Sequence, residues 1–320
     1  MKHKKRIIAI ILSLLMLFCA VPAYAADGKD TLDKDKFKGA VPNAQAEEIH
    51  FCKKADMPAE AVKDKGDISV AGAEGKIHVY ADNAEKKYWV VHEEGGKIIF
   101  PEDSGKLFYD CTKLTTVTFD QIDTGKVTSM YAMFLKCRIL TSLDLTSFNT
   151  GEVTDMGLMF CGCSALTSLD LTSFNTEKVT DMFSMFNGCS ALTTITASGQ
   201  FTTANVGGSD RMFLDCTSLV GGQGTTYKDE NPKDKTYARI DGGIPNPGYF
   251  RDKAVTYTIS FDKNGGGGNM PDVTVNDGDN YTLPPCTFTP PAGKVFDQWE
   301  VGGTKYNPGD SINNITADLS

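Results

Sequence analysis

The sequence lacks the motifs by which common enzyme classes are recognised. It contains no H-E-x-x-H, no G-x-S-x-G, no P-loop and no C-x-x-C pair. Histidine is scarce: beyond the first 25 residues there are only His50, His78 and His92. Their positions on alternating strand patterns fit solvent-facing or core-edge side chains better than converging metal ligands. We therefore expect no catalytic residues, no metal site, no cofactor and no enzymatic activity.

Long apolar runs are absent except near the start. A basic segment precedes the apolar run from Ile7 to Ala20, and Ala23-Tyr24-Ala25 follows it. This order predicts a secretory signal peptide over residues 1–25, cleaved after Ala25. Cys19 raises the alternative of a lipoprotein anchor, but Phe18 stands where a small residue is needed. No other stretch is long and apolar enough to span a bilayer, so we expect no membrane insertion after cleavage.

Basic residues are outnumbered, with 32 Lys and Arg against 41 Asp and Glu, for a net charge of −9. Signal removal takes away four positive charges and no acidic ones, which leaves −9 − 4 = −13. Such a chain repels phosphate backbones, so we do not expect nucleic acid as a partner.

A 26-residue repeat occupies the middle of the chain. Each unit carries Phe, then Cys three residues later, then Leu three residues after that. The cysteines are Cys111, Cys137, Cys163, Cys189 and Cys216. A fixed period of this length predicts stacked units. Four full units run from Cys111 to about Asp215, and an incomplete fifth follows Cys216.

The two halves of the unit differ in period. Leu143-Asp144-Leu145 alternates as a short strand, in a pattern close to L-x-x-L-x-L-x-x-N with Asn149 one place late. Val153, Met156, Met159, Phe160 and Cys163 recur at three and four residues, which predicts a helix. The predicted fold class is therefore an α/β repeat solenoid, a leucine-rich repeat with about 26 residues per rung.

The cysteines of the repeat are expected to be buried, reduced thiols. Equivalent positions in stacked units point their side chains in parallel, whereas a disulfide needs converging ones. The redox states of Cys52, Cys161 and Cys286 stay open, because these three lie outside the column.

Five segments follow from these patterns. Residues 1–25 form the signal peptide and residues 26–44 a disordered leader rich in Asp, Lys and Gly. Residues 45–106 read as a β-rich N-terminal cap, and 107–252 as the solenoid with its C-terminal cap. Residues 255–320 form a small β-rich module. It has no obvious closing strand after Ile315, which raises the alternative that it is truncated.

The candidate binding site is the outward face of the repeat strands. Hydroxyl and carboxylate side chains form columns there, and solenoids bind partners on such surfaces. The predicted ligand-binding residues are Ser142, Asp144, Thr146, Ser168, Asp170, Thr172, Thr194 and Thr196. A solvated surface that needs only to be polar is the alternative interpretation. A carboxylate pair alone supplies too few oxygen ligands for a cation.

Two family resemblances stand on these residues. The unit L-T-S-L-D-L-T-S-F-N-T-x-x-V-T-D-M-x-x-M-F-x-x-C resembles the BspA-type leucine-rich repeat of bacterial surface proteins, over roughly residues 107 to 219. Residues 255–318 resemble the Listeria–Bacteroides repeat of the internalin B type, carried by Phe261-Asp262, Asn264-Gly265-Gly266, Tyr281-Thr282-Leu283-Pro284, Phe296 with Trp299, and Pro308-Gly309-Asp310. The second resemblance implies a β-grasp-like module. Together they imply a protein exposed at the bacterial surface.

The leading functional hypothesis is a secreted surface adhesin. It would bind a host or neighbouring-cell protein or glycan through the strand face. The alternative is a structural spacer that presents another domain away from the cell surface. Neither resemblance supplies a catalytic motif.

Overall fold

The computed structural model describes residues 30–73, 75–253, 256–276, 280–313, 315 and 317–319. The predicted signal peptide, its cleavage site and Cys19 lie outside the described residues. Among the residues described, no helix is long and apolar enough to cross a membrane.

The described residues form one α-helix, two short 3-10 helices and sixteen strands. The helix α1 is Lys34–Ala40, and the 3-10 helices are Lys54–Asp56 and Lys235–Tyr237. The strands before and within the repeats are β1 (Glu48–Lys53), β2 (Lys63–Asp67), β3 (Ile77–Ala81), β4 (Lys87–His92), β5 (Ile98–Ile99), β6 (Thr116–Phe119), β7 (Ile122–Asp123), β8 (Ser168–Leu171) and β9 (Thr194–Ala197). Those after the repeats are β10 (Phe250–Asp252), β11 (Thr256–Ile259), β12 (Val273–Asn276), β13 (Tyr281–Thr282), β14 (Trp299–Val301), β15 (Thr304–Tyr306) and β16 (Ser311–Ile312).

The strands assemble into small, separate sheets. The largest has the order β2-β3-β4-β1-β6, with β1 parallel to both β4 and β6. A three-stranded parallel sheet has the order β10-β9-β8, and β5 pairs in parallel with β7. The second repeat unit contributes no strand, so no continuous sheet runs through the units.

The predicted fold class, an α/β repeat solenoid, was wrong. The structure is β-rich, its sheets are small and separate, and the half of each unit predicted as a helix forms turns instead. The spacing of three and four has another cause. Met133 N–H donates to the Met130 carbonyl, and Cys137 N–H donates to that of Phe134. Consecutive turns with such i→i+3 bonds bury residues at the same spacing as a helix face.

The turn segments bond to neighbouring units rather than to themselves. N–H groups of alternate residues donate to carbonyls of the next unit: Met130 to Asp155, Ala132 to Gly157, Phe134 to Met159 and Lys136 to Cys161. An α-helix needs those N–H groups for its own carbonyls. The backbone N–H and C=O groups of the turn segments therefore find their hydrogen-bond partners in neighbouring units, as in a ladder of parallel strands.

Two residues in each turn segment adopt the left-handed conformation, which interrupts any helix. One column has φ between 52° and 59° and contains Lys106, Ala132, Leu158, Ser184 and Arg211. The other, four residues later, contains Asp110, Lys136, Gly162, Gly188 and Asp215. Only two members of the ten are glycine, which is why sequence propensity did not disclose these positions.

The core is built from columns of equivalent side chains. Successive Phe rings lie nearly parallel with centroids 5.2 to 5.9 Å apart, in the column Phe108, Phe134, Phe160, Phe186 and Phe213. Phe37 and Phe51 pack edge-on against Phe108, and Tyr249 packs edge-on against Phe213. The first and last rungs are thereby covered by aromatic side chains from outside the repeats.

The cysteine column lies beside these rings. Cys137, Cys163 and Cys189 are fully buried, and each thiol donates to the carbonyl of a Phe in the preceding unit at 3.1 to 3.2 Å. All eight cysteines of the described residues are free, so the predicted buried thiols are confirmed. Burial raises the pKa of the Cys163 and Cys216 thiols to about 12.

The leader predicted as disordered over residues 26–44 is structured where it is described. Asp33 caps α1 through its carboxylate, and Phe37 is buried against the first rungs. Lys34 pairs with Asp103 at 2.6 Å. The segment is polar in composition, which predicted disorder, but its one buried aromatic side chain, Phe37, packs against the first rungs.

The C-terminal module does not form the β-grasp-like fold that the resemblance implied. Its strands make three separate antiparallel pairs, β11 with β12, β13 with β16 and β14 with β15. Proline has no N–H to donate to a ladder, and Pro284-Pro285 and Pro290-Pro291 lie between β13 and β14. No helix occurs among the module's described residues.

Candidate functional site: the strand face of the repeats

The predicted ligand-binding residues lie on one outward face, here called the strand face. In the three-stranded sheet, Ser168 stands opposite Thr194 and Asp170 opposite Thr196. Leu169 and Leu171 alternate with them and are buried. Neighbouring parallel strands lie about 4.8 Å apart, so side chains at equivalent positions form closely spaced columns. The period of two places polar residues outward and leucines inward, as predicted.

Asp144 and Asp170 have the same local geometry. Oδ1 of each accepts the backbone N–H two residues later, at 2.9 Å, and the hydroxyl of that same threonine, Thr146 or Thr172, at 2.6 to 2.7 Å. These hydrogen bonds lower the pKa of the Asp144 carboxyl, the backbone bond most strongly. Oδ1 is thus committed to the protein, while Oδ2 makes no hydrogen bond to the described residues, and both aspartates are exposed.

The hydroxyls on the face and directly beside it differ in their hydrogen bonds. Thr167 and Thr193 donate to the carbonyl 26 residues earlier, at 3.3 and 3.0 Å, and so link successive units. Among the described residues, the hydroxyls of Ser142 and Ser168 make no hydrogen bond to protein, and both residues are exposed. The serine column is therefore available to a ligand, whereas the neighbouring Thr167 and Thr193 are used by the fold.

The structure adds residues that the sequence did not assign to the face. Arg251 on β10 stands opposite Thr196 and continues the Asp170 column. At the other end, His50 on β1 stands opposite Thr118, with Nδ1 3.2 Å from its hydroxyl and Nε2 3.3 Å from Glu48. These strands come from outside the repeat, so the period gave no signal for them.

The three histidines do not converge. His50 contacts Glu48, His78 contacts Asp64, and His92 contacts Asp30. Within the part of the chain that the structure describes, no group of three or more His, Cys, Asp or Glu side chains could hold a metal ion. The strand face itself is an exposed surface of hydroxyl and carboxylate groups.

The fold and this face define a β-rich repeat protein with an exposed hydroxyl and carboxylate surface. Residues 102–223 match the family model described as "Mycoplasma protein of unknown function, DUF285". That range contains the four repeat units and covers less than half of the chain. No curated protein and no solved structure matches the chain.

Proposed function

We propose that the protein is a secreted adhesin of the bacterial surface. It binds a protein or glycan of a host or neighbouring cell through the strand face. Removal of residues 1–25 as a signal peptide delivers it to the outside of the cell.

The carrying observation is the pair of exposed carboxylates flanked by exposed serine hydroxyls. Asp144 and Asp170 each keep one carboxylate oxygen free, and Ser142 and Ser168 keep their hydroxyls free of protein contacts. Because Asp144 is held ionised and its geometry is set by Thr146, a ligand meets acceptors that are already ordered. Preorganised polar groups lose little conformational entropy when a partner binds.

The test is a binding screen of the chain from residue 26 against a printed glycan array and a panel of purified extracellular host proteins. The charge-reversed variant Asp144→Lys/Asp170→Lys should lose at least tenfold in affinity for the ligand found, because each carboxylate contact contributes about 1.5–3 kcal/mol. The control is Glu102→Lys/Glu177→Lys, which makes the same charge change at two exposed residues outside the face. The control should bind like the parent protein. Equal binding by parent and charge-reversed variant would show that the face is not the site.

A structural spacer is the second candidate, and one observation favours it. Hydroxyls of Thr154, Thr167, Thr180 and Thr193 all donate to carbonyls of the preceding unit. Much of the hydroxyl-rich surface therefore stabilises the stack, as a spacer would require. A screen in which neither array nor protein panel yields a ligand would favour this role.

A further inference from the structure

The strand face repeats nearly the same polar groups in every unit of the stack. In the second and third units the outward positions are Ser142, Asp144, Thr146, Ser168, Asp170 and Thr172. The first and fourth units carry only Thr, Ser or Asp at the equivalent positions. In both central units Oδ1 of the aspartate accepts the N–H and the hydroxyl of the threonine two residues later, at 2.6 to 2.9 Å. The two units therefore present the same groups in the same local geometry.

The groups that the fold leaves free stand one unit apart. The serine hydroxyls and the aspartate Oδ2 atoms of the two central units make no hydrogen bond to the described residues. The units are joined at both ends of the face: Thr167 N–H donates to the Thr141 carbonyl, and the Ser173 hydroxyl to that of Leu145, each at 3.2 Å. Neighbouring parallel strands lie about 4.8 Å apart. A free hydroxyl and a free carboxylate oxygen therefore recur at about that interval.

The composition of the face favours a polar ligand over a folded protein. Protein interfaces are anchored at their centre by aromatic, aliphatic or arginine side chains. None of the outward positions in the four units carries such a residue. Arg251 and His50 lie on the flanking strands, at the two ends of the face. The centre of the face thus offers hydrogen bonds but no apolar anchor.

The spacing of the units distinguishes a sugar chain from an extended peptide laid along the stack. Side chains on one side of an extended peptide recur at about 6.7 Å, twice the rise per residue. Over units about 4.8 Å apart, such a peptide is out of register by about 4 Å after two steps. One ring of an extended 1,4-linked sugar chain is about as long as one unit is high, and its hydroxyls both donate and accept. A sugar chain can therefore place one ring on each unit.

The geometry points to a linear, 1,4-linked polysaccharide as the ligand of the strand face, lying along the stack with one sugar on each unit. In the two central units the serine hydroxyl and the aspartate Oδ2 bind hydroxyls of one ring. This inference rests on the proposed function, because it specifies the ligand class of the same site. A single sugar gains few hydrogen bonds, whereas a chain adds the contribution of every unit that it covers. The affinity therefore depends on the number of sugars.

The experiment titrates the chain from residue 26 with cello-, manno- and chito-oligosaccharides of one to six sugars. Saturation-transfer difference NMR gives the dissociation constant at each length. In at least one series that constant should fall about fivefold with each added sugar, because each unit contributes about one net hydrogen bond. The fall should end once the chain covers the four units.

The variant Ser142→Ala/Ser168→Ala removes both free hydroxyls and breaks no hydrogen bond among the described residues. It should weaken binding of the tetrasaccharide at least tenfold. The matched control is Ser190→Ala/Ser218→Ala, at two exposed serines outside the face. The control should bind like the parent protein. Circular dichroism on each variant ensures that a loss of binding is not a loss of fold.

Three results would overturn this inference and leave the proposed function standing. A protein of the panel binds and loses affinity in Asp144→Lys/Asp170→Lys, while no oligosaccharide binds; a sugar binds equally tightly at every length, so that only one ring is recognised; or the tetrasaccharide binds the Ser142→Ala/Ser168→Ala variant as tightly as the parent. If no ligand of either class loses affinity in the charge-reversed variant, the strand face is not a binding site, and both proposals fall.

Discussion

At the scale of single residues, three buried threonines each bond to two backbone groups of the neighbouring unit. Thr124, Thr150 and Thr176 are each about 1 % exposed and form a column through the units. The Thr150 hydroxyl donates to the Asn175 carbonyl and accepts the Asn175 N–H, both at 2.9 Å. The other two threonines make the equivalent pair of bonds at 2.7 to 2.9 Å.

Thr150→Val keeps the shape of the side chain and removes both bonds. It should lower the free energy of unfolding by about 2–4 kcal/mol, because a buried N–H and a buried C=O lose their partner. Urea denaturation measures this change. Thr154→Val is the control, since that hydroxyl makes one bond at an exposed position, and it should cost less than about 1 kcal/mol. Equal costs at the two positions would contradict the role assigned to the buried column.

Asp241 has the corresponding role in the loop that closes the repeats. The residue is buried, and its carboxylate accepts N–H groups of Gln223, Thr225, Gly243 and Gly248 together with the Thr225 hydroxyl. Burial opposes ionisation, but these bonds outweigh it and lower the pKa of Asp241 to about 2. A carboxyl whose folded pKa lies below its unfolded value stabilises the fold above the unfolded pKa of about 3.9.

Stability contributed by Asp241 should therefore be complete at neutral pH and lost as the pH falls from about 4 to about 2. Asp241→Asn should destabilise the protein at pH 7 by about 2–3 kcal/mol, since charged acceptors contribute more than neutral ones. It should also flatten the pH dependence of the unfolding free energy in that window. Urea titrations at several pH values test this, and an unchanged slope in the variant would refute it.

At the level of elements, each repeat depends on turns that a helix cannot replace. Gly162 and Gly188 hold φ of 74° and 76°, where other units have Asp or Lys at φ of 58° to 65°. The fold thus accepts a side chain at this position at a modest cost. Because these segments form turns, the described residues contain only one α-helix, Lys34–Ala40.

Gly188→Ala should cost about 1 kcal/mol, because a Cβ there would meet Gly162 only at 3.6 Å and the cost is conformational. The control Gly199→Ala lies where φ is not positive and nothing approaches within 4 Å, so its effect should be within about 0.5 kcal/mol. Thermal denaturation followed by circular dichroism compares the two. A loss of more than about 3 kcal/mol at Gly188 would indicate a packing clash that the structure does not contain.

At the level of the whole molecule, each unit contacts its neighbours through equivalent columns of side chains. Phe134 stacks on Phe160 as Phe160 stacks on Phe186, with centroids 5.9 and 5.7 Å apart. The ends differ, since Phe37, Phe51 and Tyr249 cover them. Stability in such an array is a sum over units and interfaces.

Deletion of residues 151–176, one 26-residue period, should therefore yield a folded protein in which Phe134 stacks on Phe186. Its unfolding free energy should fall by several kcal/mol, because one unit and one interface are lost. Deletion of residues 151–163, about half a period, puts the columns out of register and should give no cooperative unfolding. Size-exclusion chromatography and urea denaturation distinguish the outcomes. Failure of both deletions to fold would show that the units are not equivalent.

Several features were predictable from residue patterns alone. The period identified the Phe and Cys columns, and the alternation of Leu169, Asp170 and Leu171 placed the carboxylates outward on the strand face. Burial of the thiols followed from their spacing. The sequence pattern of the turn segments also predicts a helix, because two different backbones bury residues at the same interval. The residues with left-handed backbone in the turn segments are mostly not glycine. Their amino-acid types therefore did not indicate that the helix is interrupted.

The sequence by itself determined the repeat, its buried columns and the polar face, because these depend on local spacing that every unit shares. Only the tertiary structure decided that backbone bonds of the turn segments run between units, since a hydrogen bond 25 residues away leaves no local pattern. It also brought Arg251 and His50 to the ends of the strand face, and Asp30 to His92. These residues are far from their neighbours along the chain. They meet them because strands of the flanking segments pair with the repeats or with one another.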